Sequence, residues 1–374
     1  MRRRRSTLVF ATPGGDENHP WAHALRTALE EQTEVEHCPA ELSEEQRQEA
    51  IETVPPALPL MRRIMAERSP AATAMRARSV EQRLRDRPPP WLALQLYTND
   101  VLPPFRLDAV YTDIFLGQVA ERTDLPGTDW DPEALTDALR REREMLHRCR
   151  RVYVTSHWVA DYGRRRLGLG NRLVVAGVGP VIEAPEPPPP RDPGRPPRIV
   201  FIGNDAERKG LGILLEAYAG IRAERPEVEL AVIGRASLES LLPVTWHGHI
   251  DARNAGGRAR LGGILSEADL FVLPTRFDPV GIAFLDAMSH GLPIVGPRDC
   301  MVPEYLEEGV TGRFCRLAAD DIARVALECL GDPAACAEMG RRARQVQQSD
   351  YRWPRVVRTI LDDWRRVRAE ELAS

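Results

Sequence analysis

Two acidic residues in an apolar stretch are the first candidates for chemistry. The segment 277–296 is largely apolar, yet it contains Asp278 and Asp286. Asp278 followed by Pro279 is typical of a helix start, because aspartate accepts hydrogen bonds from first-turn amides and proline is tolerated there. Asp286 would lie two turns further on, where an unpaired buried carboxylate is costly. A helix cap therefore suffices to explain Asp278 but not Asp286.

The spacing of the two acids predicts contact with an extended ligand. Eight helical positions advance about 12 Å, which exceeds the roughly 5–10 Å between the two carboxylates of a glycosidase. Between the acids, Val280, Gly281 and Ile282 would offer first-turn amides, and the positive end of the helix dipole favours a phosphate there. Gly291, with Pro293 beyond it, is predicted to end the helix.

Two adjacent cations, Arg208 and Lys209, lie in a predicted strand-to-helix turn that ends at Gly210. A solvated basic pair is the ordinary explanation of such neighbours. On a parallel sheet, however, these turns lie at the carboxyl edge, where ligands bind. Two cations at the edge that also carries Asp278 could hold a phosphate. Together the two segments predict a nucleoside diphosphate ligand.

The elements that must position these residues alternate between strands and helices. The second half has apolar strands at 198–203, 228–234, 270–275 and 292–296 with helices between them, including one near 262–268. Strands that are apolar on both faces predict a parallel sheet covered on both sides. The first half repeats the pattern less regularly, with strands predicted at 6–12, 91–98, 108–117 and 150–154. The predicted fold class is α/β.

The chain divides into two domains of similar size. A proline-rich run, 183–198, has few backbone donors and favours stiff extended conformations, so it is predicted to be a linker. It separates an N-terminal domain, 1–182, from a C-terminal domain, 199–352. The first domain contains an Arg-rich helical insertion at about 41–87. An amphipathic helix at 353–374 is expected to pack back across the hinge.

Composition excludes several classes of protein. The 374 residues exceed one ordinary core, and a net charge of −4 gives no reason to expect nucleic acid. No apolar run approaches the length of a membrane span, although the Arg-rich start could contact anionic membrane weakly. The six cysteines and eight histidines show no metal-ligand spacing, so we expect free thiols, a cytoplasmic location and no metal. Composition does not predict the oligomeric state.

The order of these motifs resembles the donor domain of retaining glycosyltransferases of family 4. The resemblance is strong over 198–315 and weak in the first half, and it implies the GT-B architecture, in which two Rossmann-like domains face a central cleft. The family carries two glutamates separated by seven residues, whereas Asp278 and Asp286 stand here. By resemblance, Asp278 lies beside the transferred sugar and Asp286 binds the ribose hydroxyls.

The resemblance also assigns the remaining donor contacts. The backbone at Val280, Gly281 and Ile282 would hold the diphosphate together with Lys209. Family members commonly have Gly-Arg after the first strand of this domain, where this chain has Gly203 and Asn204, so Arg208 would supply the second cation. Asp278, Lys209 and Arg208 are the expected catalytic residues, and the others are expected to bind the donor.

In the first domain, the family has a Gly-Gly loop near the phosphate and the acceptor. Gly14 and Gly15 match that loop, and Asp16 and His19 could meet an acceptor. Relatives often place a histidine near the end of a later strand, where this chain offers Asp113. The implied reaction is metal-independent transfer, with retention, from a UDP- or GDP-linked sugar to a hydroxyl acceptor without a cofactor.

Three other functions fit the same residues. The Asp-for-Glu changes and the missing histidine are compatible with a non-catalytic nucleotide-sugar-binding protein. Another GT-B enzyme, such as a phosphorylase or a sugar-nucleotide epimerase, would share the fold. A scaffold protein could use the Arg-rich stretch 41–87 to bind a partner.

Overall fold

The computed structural model describes most of the chain. The described residues are 7–12, 20–53, 66, 69–86, 90–98, 107–122, 131–186, 194–235 and 242–373. The chain forms two compact units, one of residues 1–177 with 353–374 and one of residues 178–352. The predicted linker, 183–198, therefore falls within the range of the second unit.

The first unit is built around a parallel sheet of six strands. Its strands are β1 Thr7–Thr12, β2 Glu34–Pro39, β3 Leu92–Leu96, β4 Ala109–Thr112, β5 Arg151–Val154 and β6 Leu173–Val175. Its helices are α1 Pro20–Glu30, α2 Glu44–Glu52, α3 Pro70–Leu84, α4 Leu116–Ala120, α5 Pro132–Arg148, α6 His157–Arg165 and, from the C-terminus, α14 Trp353–Ala373. The strand order is β2-β1-β3-β4-β5-β6.

The second unit has a parallel sheet of the same size. Its strands are β7 Arg198–Ile202, β8 Glu229–Ile233, β9 Val244–Gly248, β10 Leu270–Val272, β11 Ile294–Gly296 and β12 Gly312–Phe314. Its helices are α7 Ala206–Lys209, α8 Leu211–Glu224, α9 Ala255–Ser266, α10 Ile282–Ser289, α11 Val302–Tyr305, α12 Ala319–Gly331 and α13 Pro333–Asp350. The order β12-β11-β10-β7-β8-β9 is that of a doubly wound Rossmann sheet. The predicted α/β class is confirmed.

The strands that the sequence failed to predict are short or polar. β2 and β9 lie at sheet edges and read EVEHCP and VTWHG, with mostly half-exposed side chains. β6 and β12, each three residues long, were also missed. Pairing with a neighbouring strand, rather than an apolar run, makes these segments extended.

The strand predicted at 108–117 was partly wrong. Only β4 is extended there, and α4 follows it at once. The buried carboxylate of Glu142 accepts the Leu116 N–H at 2.9 Å, and the Gln118 side chain accepts the Phe115 N–H at 3.0 Å. These acceptors satisfy amides at the helix start, so a tertiary contact turns the chain. Within the described part of 41–87, the predicted helices are present as α2 and α3, capped by Ser43 and Ser69.

The C-terminal helix α14 packs on the first sheet through polar anchors as well as apolar side chains. The buried carboxylate of Asp363 accepts hydrogen bonds from Arg151 Nε at 2.8 Å and from the Tyr153 hydroxyl at 3.0 Å. Trp364 Nε1 donates to the Trp91 carbonyl at 2.7 Å. In the described ranges, no helix is both long and apolar enough to cross a membrane.

Candidate functional site

The candidate site lies at the carboxyl edge of the second sheet, between β7 and β10. These neighbouring strands mark the point where the strand order reverses, and open α/β sheets bind ligands in the crevice at such a point. The loop after β7 carries Arg208 and Lys209, and the loop after β10 carries Asp278. The topology therefore brings the two predicted ligand-binding segments to adjacent positions.

A tight turn places the two cations. Asp205 caps the short helix α7 by accepting the Arg208 N–H at 3.1 Å. Gly210 then adopts φ +76°, a conformation that favours glycine. A Cβ on Gly210 would lie 2.0 Å from the Pro274 carbonyl oxygen, so the turn after β7 packs directly against the end of β10.

Hydrogen bonds fix the two loops to each other. The Arg208 carbonyl accepts the Arg276 N–H at 2.8 Å and the Thr275 hydroxyl at 3.1 Å. In the other direction, Arg208 Nη1 donates to the Phe277 carbonyl at 2.6 Å. The residues flanking Lys209 and Asp278 are thus held in place by hydrogen bonds to main-chain carbonyls.

Lys209 and Asp278 form an ion pair between the loops. Nζ of Lys209 donates to Oδ2 of Asp278, and the two side chains are only 12% and 14% exposed. Burial lowers the pKa of Lys209, and the charge of Asp278 opposes this shift. An ammonium carries three donors, so contact with one carboxylate leaves capacity for an anionic ligand. Charges in so buried a site interact more strongly than charges at the protein surface.

Lys209 is also the only lysine in the chain. Of 51 basic residues, 50 are arginine. A Cβ on Gly203 would lie 2.9 Å from Lys209 Cβ, so the stem of the lysine is closely packed. A compact ammonium suits this space better than the broad planar guanidinium of arginine. Composition alone therefore singles out Lys209 without any motif, a signal that the motif-based prediction did not use.

The predicted helix start at Asp278 was wrong. Helix α10 begins at Ile282, and its N-cap is Gly281 with φ +66° and no side-chain cap. The carboxylate of Asp278 is bound to Lys209 instead of first-turn amides. Only the last part of the path from Asp278 to Asp286 is helical, so the two acids are not eight helical positions apart as predicted. The predicted C-terminal end is confirmed, with His290 as C-cap and Gly291 at φ +69°.

Packing explains why glycine precedes helix α10. A Cβ on Gly281 would lie 2.5 Å from the Tyr305 hydroxyl oxygen and 2.7 Å from Phe284 Cδ2. That hydroxyl donates to the Val280 carbonyl at 3.1 Å. The turn before α10 is therefore held from within the unit, and the Ile282 amide is the first of the helix.

Asp286 lies inside the unit, on helix α10. Its Oδ1 accepts the Val181 N–H at 2.7 Å and the Ile182 N–H at 2.9 Å, and the residue is 6% exposed. Burial raises the pKa of Asp286 to about 7, while the two N–H groups oppose the rise. The cost of this carboxylate is thus partly offset by backbone donors, which the sequence did not indicate.

Gly203 and Asn204 lie where the first strand of the unit ends. Gly203 packs against β8, since a Cβ on Gly234 would lie 1.9 Å from the Gly203 carbonyl oxygen. Asn204 is exposed, and its Oδ1 lies 3.1 Å from His249 Nδ1. His249 follows β9, a strand that the sequence did not predict, so its position beside Asn204 was not predicted either.

The residues predicted for the acceptor loop are described only in part. Gly14, Gly15, Asp16 and His19 lie outside the described residues. Asp113 is half-buried and follows β4 at the carboxyl edge of the first sheet. Burial raises the pKa of the nearby Tyr97, and the charge of Asp113 raises it further. Tyr97, which directly follows β3, has φ 62°, and the sequence did not single it out as a candidate site residue.

Comparison with known proteins identifies the family that the second unit resembles. Residues 196–332 match the family model described as "Glycosyl transferases group 1". The predicted resemblance is confirmed. Alpha-maltose-1-phosphate synthase of Mycobacterium tuberculosis (strain ATCC 25618 / H37Rv) is 30% identical over 196 residues, which are 47% of this chain and 49% of that protein. Glycogen synthase of the same strain is 28% identical over 175 residues, or 43% and 40% of the two chains.

The chain spans about half the length of the curated relatives it matches. A solved structure covers far more of it. Sucrose-phosphate synthase from Thermosynechococcus elongatus has a TM-score of 0.68 at 16% identity, over 98% of this chain and 100% of that chain. At this identity the likeness concerns the fold alone, and it confirms the predicted GT-B architecture of two Rossmann-like units.

Proposed function

We propose that the protein is a retaining glycosyltransferase that moves a sugar from a UDP- or GDP-linked donor to a hydroxyl acceptor without a metal. The observation that carries this proposal is the buried Lys209–Asp278 pair at the reversal point of the second sheet. The match to glycosyl transferases group 1 covers these residues. Two relatives are named alpha-maltose-1-phosphate synthase and glycogen synthase, and both names agree with it.

The donor diphosphate would bind beside Lys209. One N–H of the ammonium stays on Asp278, and the other two are available to phosphate oxygens. Arg208 would add a second cation by turning its free guanidinium donors to the same phosphates. The amide of Ile282 and the dipole of α10 would contribute from the opposite loop. A ribose contact by Asp286 would use Oδ2, because Oδ1 already accepts two backbone N–H groups.

Transfer would then break the bond between the anomeric carbon and the phosphate oxygen. A bond to the acceptor oxygen forms on the same face of the sugar, and the acceptor proton passes to the departing phosphate oxygen. Lys209 and Arg208 stabilise the negative charge that develops on this oxygen. Asp278 orients Lys209 and lies near the sugar, where its carboxylate opposes the positive charge of the ring.

Titration of the variant Lys209→Ala with UDP, GDP and ADP tests the site. We expect wild-type protein to bind one of these nucleotides and Lys209→Ala to bind it at least 50-fold more weakly. Arg324→Ala, which removes another ion-paired cation of the same unit, should bind like wild type. Equal affinity of Lys209→Ala and wild type would refute the proposed site.

A second experiment addresses turnover. Wild-type protein is incubated with UDP- and GDP-sugars, with and without a panel of sugar, polyol and lipid acceptors, and nucleotide release is measured together with product configuration. Asp278→Asn should bind the nucleotide but transfer at least 100-fold more slowly. Nucleotide binding without turnover on any acceptor would favour a binding protein instead, and an inverted product would exclude retention.

A further inference from the structure

A tyrosine outside the two ligand-binding loops contacts the turn that precedes α10. Tyr305, on α11, is 2% exposed, and its hydroxyl donates to the Val280 carbonyl at 3.1 Å. Val280 stands between Asp278 and Ile282, the first residue of α10. The hydroxyl therefore contacts the segment that joins the buried ion pair to the helix.

The turn is not fixed by a capping side chain. Gly281, the N-cap of α10, has φ +66° and no side chain with which to cap the helix. Asp278, the acid before the turn, is bound to Lys209. A Cβ on Gly281 would lie 2.5 Å from the Tyr305 hydroxyl oxygen, so the hydroxyl fills the space that a side chain would take. Tyr305 thus fixes from outside a turn that a capping side chain would otherwise fix.

The position of Tyr305 is itself fixed. Its carbonyl accepts the hydroxyl of Thr311 at 3.0 Å, and Thr311 is 1% exposed. Its ring packs against Phe284 with the ring centroids 5.8 Å apart and edge-on against Tyr351 with the centroids 5.9 Å apart. Because side chains in a close-packed interior interdigitate, these contacts keep the hydroxyl on the Val280 carbonyl.

The same hydroxyl lies within the field of the ion pair. Burial raises the pKa of Tyr305 well above its ordinary value of 10, and the negative charge of Asp278 is the next largest cause. The phenol therefore stays protonated at neutral pH, and its one proton remains available to the Val280 carbonyl. A neutral donor at this position holds the turn without adding a charge to the site.

We propose that Tyr305 is a positioning residue of the donor site: its hydroxyl fixes the turn 280–282 so that the Ile282 amide meets the donor diphosphate beside Lys209. The effect on a ligand rests on the proposed function, whereas the hold on the turn does not. A backbone donor stabilises an anion best when it is aligned before the ligand arrives, because no reorganisation is then required. Release of the turn should consequently weaken contacts with phosphate and spare those with the rest of the donor.

Hydrogen exchange of the protein without ligand tests the hold on the turn. Tyr305→Phe keeps the ring and removes only the hydroxyl. The Phe284 amide donates to the Gly281 carbonyl at 2.8 Å across the turn, and in this variant it should exchange at least about five-fold faster, the effect of losing one hydrogen bond. Tyr218→Phe is the matched control: Tyr218 is fully buried in the same unit and donates to the Val228 carbonyl at 2.9 Å, but its loss should leave the Phe284 amide unchanged. Equal exchange at Phe284 in Tyr305→Phe and wild type would overturn the proposal.

Nucleotide binding separates positioning from a general loss of stability. Wild type, Tyr305→Phe and Tyr218→Phe are titrated with UDP, GDP and ADP and with the corresponding nucleosides. We expect Tyr305→Phe to bind the preferred diphosphate at least about five-fold more weakly and its nucleoside within about two-fold of wild type, because a nucleoside has no phosphate for the turn to hold. Tyr218→Phe should bind both ligands like wild type.

The contrary results are distinguishable from failure of the proposed function. A diphosphate affinity of Tyr305→Phe within about two-fold of wild type, or an equal loss for diphosphate and nucleoside, would overturn the positioning role. If wild type binds none of the three diphosphates, the proposed function fails instead, and exchange at Phe284 still decides whether Tyr305 holds the turn.

Discussion

The ammonium of Lys209 lies against the carboxylate of Asp278, although 69 residues separate them in the chain. The pair joins the turns after β7 and β10, and Lys209 is the only lysine in the sequence. Around it, the flanking backbone is tied by bonds from Arg208 to Phe277 and from Arg276 to Arg208. The site is thus an ion pair held on rigid turns.

Removal of Asp278 should lower the pKa of Lys209. Burial already lowers this pKa, and Asp278 is the main group that raises it. In Asp278→Asn we expect the pKa of Lys209 to fall further, because the charge that opposes the effect of burial is removed. Protein labelled with ¹³C-lysine gives a single ε-carbon signal, whose pH titration by NMR measures the pKa directly. An unchanged value would mean that the carboxylate does not face the ammonium.

Two neighbouring glycines should respond in opposite ways to alanine. Gly210→Ala places a Cβ 2.0 Å from the Pro274 carbonyl oxygen at φ +76°, so we expect the free energy of unfolding to fall by more than about 2 kcal/mol. Gly212, in α8, faces open space, and Gly212→Ala should raise stability by up to about 1 kcal/mol. Urea denaturation measures both. Similar effects in the two variants would contradict the packing of the turn.

The pH dependence of stability should carry the signature of Asp286. Its folded pKa of about 7 lies above the ordinary value of 3.8, so the folded state binds more protons between pH 4 and 7. The stabilisation is therefore complete below pH 4 and is lost as pH rises through 7. Between pH 5 and 7 the loss is about 2 kcal/mol. Asp286→Asn should flatten this slope in urea denaturation.

Asp321 provides the control for this titration. Hydrogen bonds from Arg324 and from the Arg316 N–H lower the pKa of Asp321 to about 2. Its contribution to stability is lost only as pH falls toward 2, so Asp321→Asn should keep the wild-type slope between pH 5 and 7. An identical slope in wild type and Asp286→Asn would show that Asp286 does not titrate in this range.

Adjacent acids on α14 should differ sharply in their importance. Asp363 is buried and accepts hydrogen bonds from the half-buried Arg151 and the buried Tyr153, so Asp363→Ala should cost about 2 kcal/mol by removing the acceptor that these two donors share. Asp362 is 55% exposed and pairs with Arg365, so Asp362→Ala should change stability by less than about 0.5 kcal/mol. Thermal unfolding compares them. Equal losses would contradict the attachment of α14 to β5.

The local pattern of the sequence predicted those features whose causes are local. Alternating apolar strands and helices indicated two parallel sheets, because burial on both faces requires apolar residues throughout a strand. The turn at Arg208–Gly210 and the helix end at Gly291 followed from residue types with strong backbone preferences. The single lysine, readable from composition, would have marked the site on its own.

The tertiary structure decided what those residues do. Asp278 has the sequence of a helix cap but binds Lys209, 69 residues away, and Asp286 binds amides 105 and 104 residues away. The edge strands β2 and β9 are likewise made by pairing with a neighbour. A local pattern records which side chains suit a helix or a strand. It does not record which distant donor will reach a buried carboxylate, because that depends on how the sheet brings separate loops together.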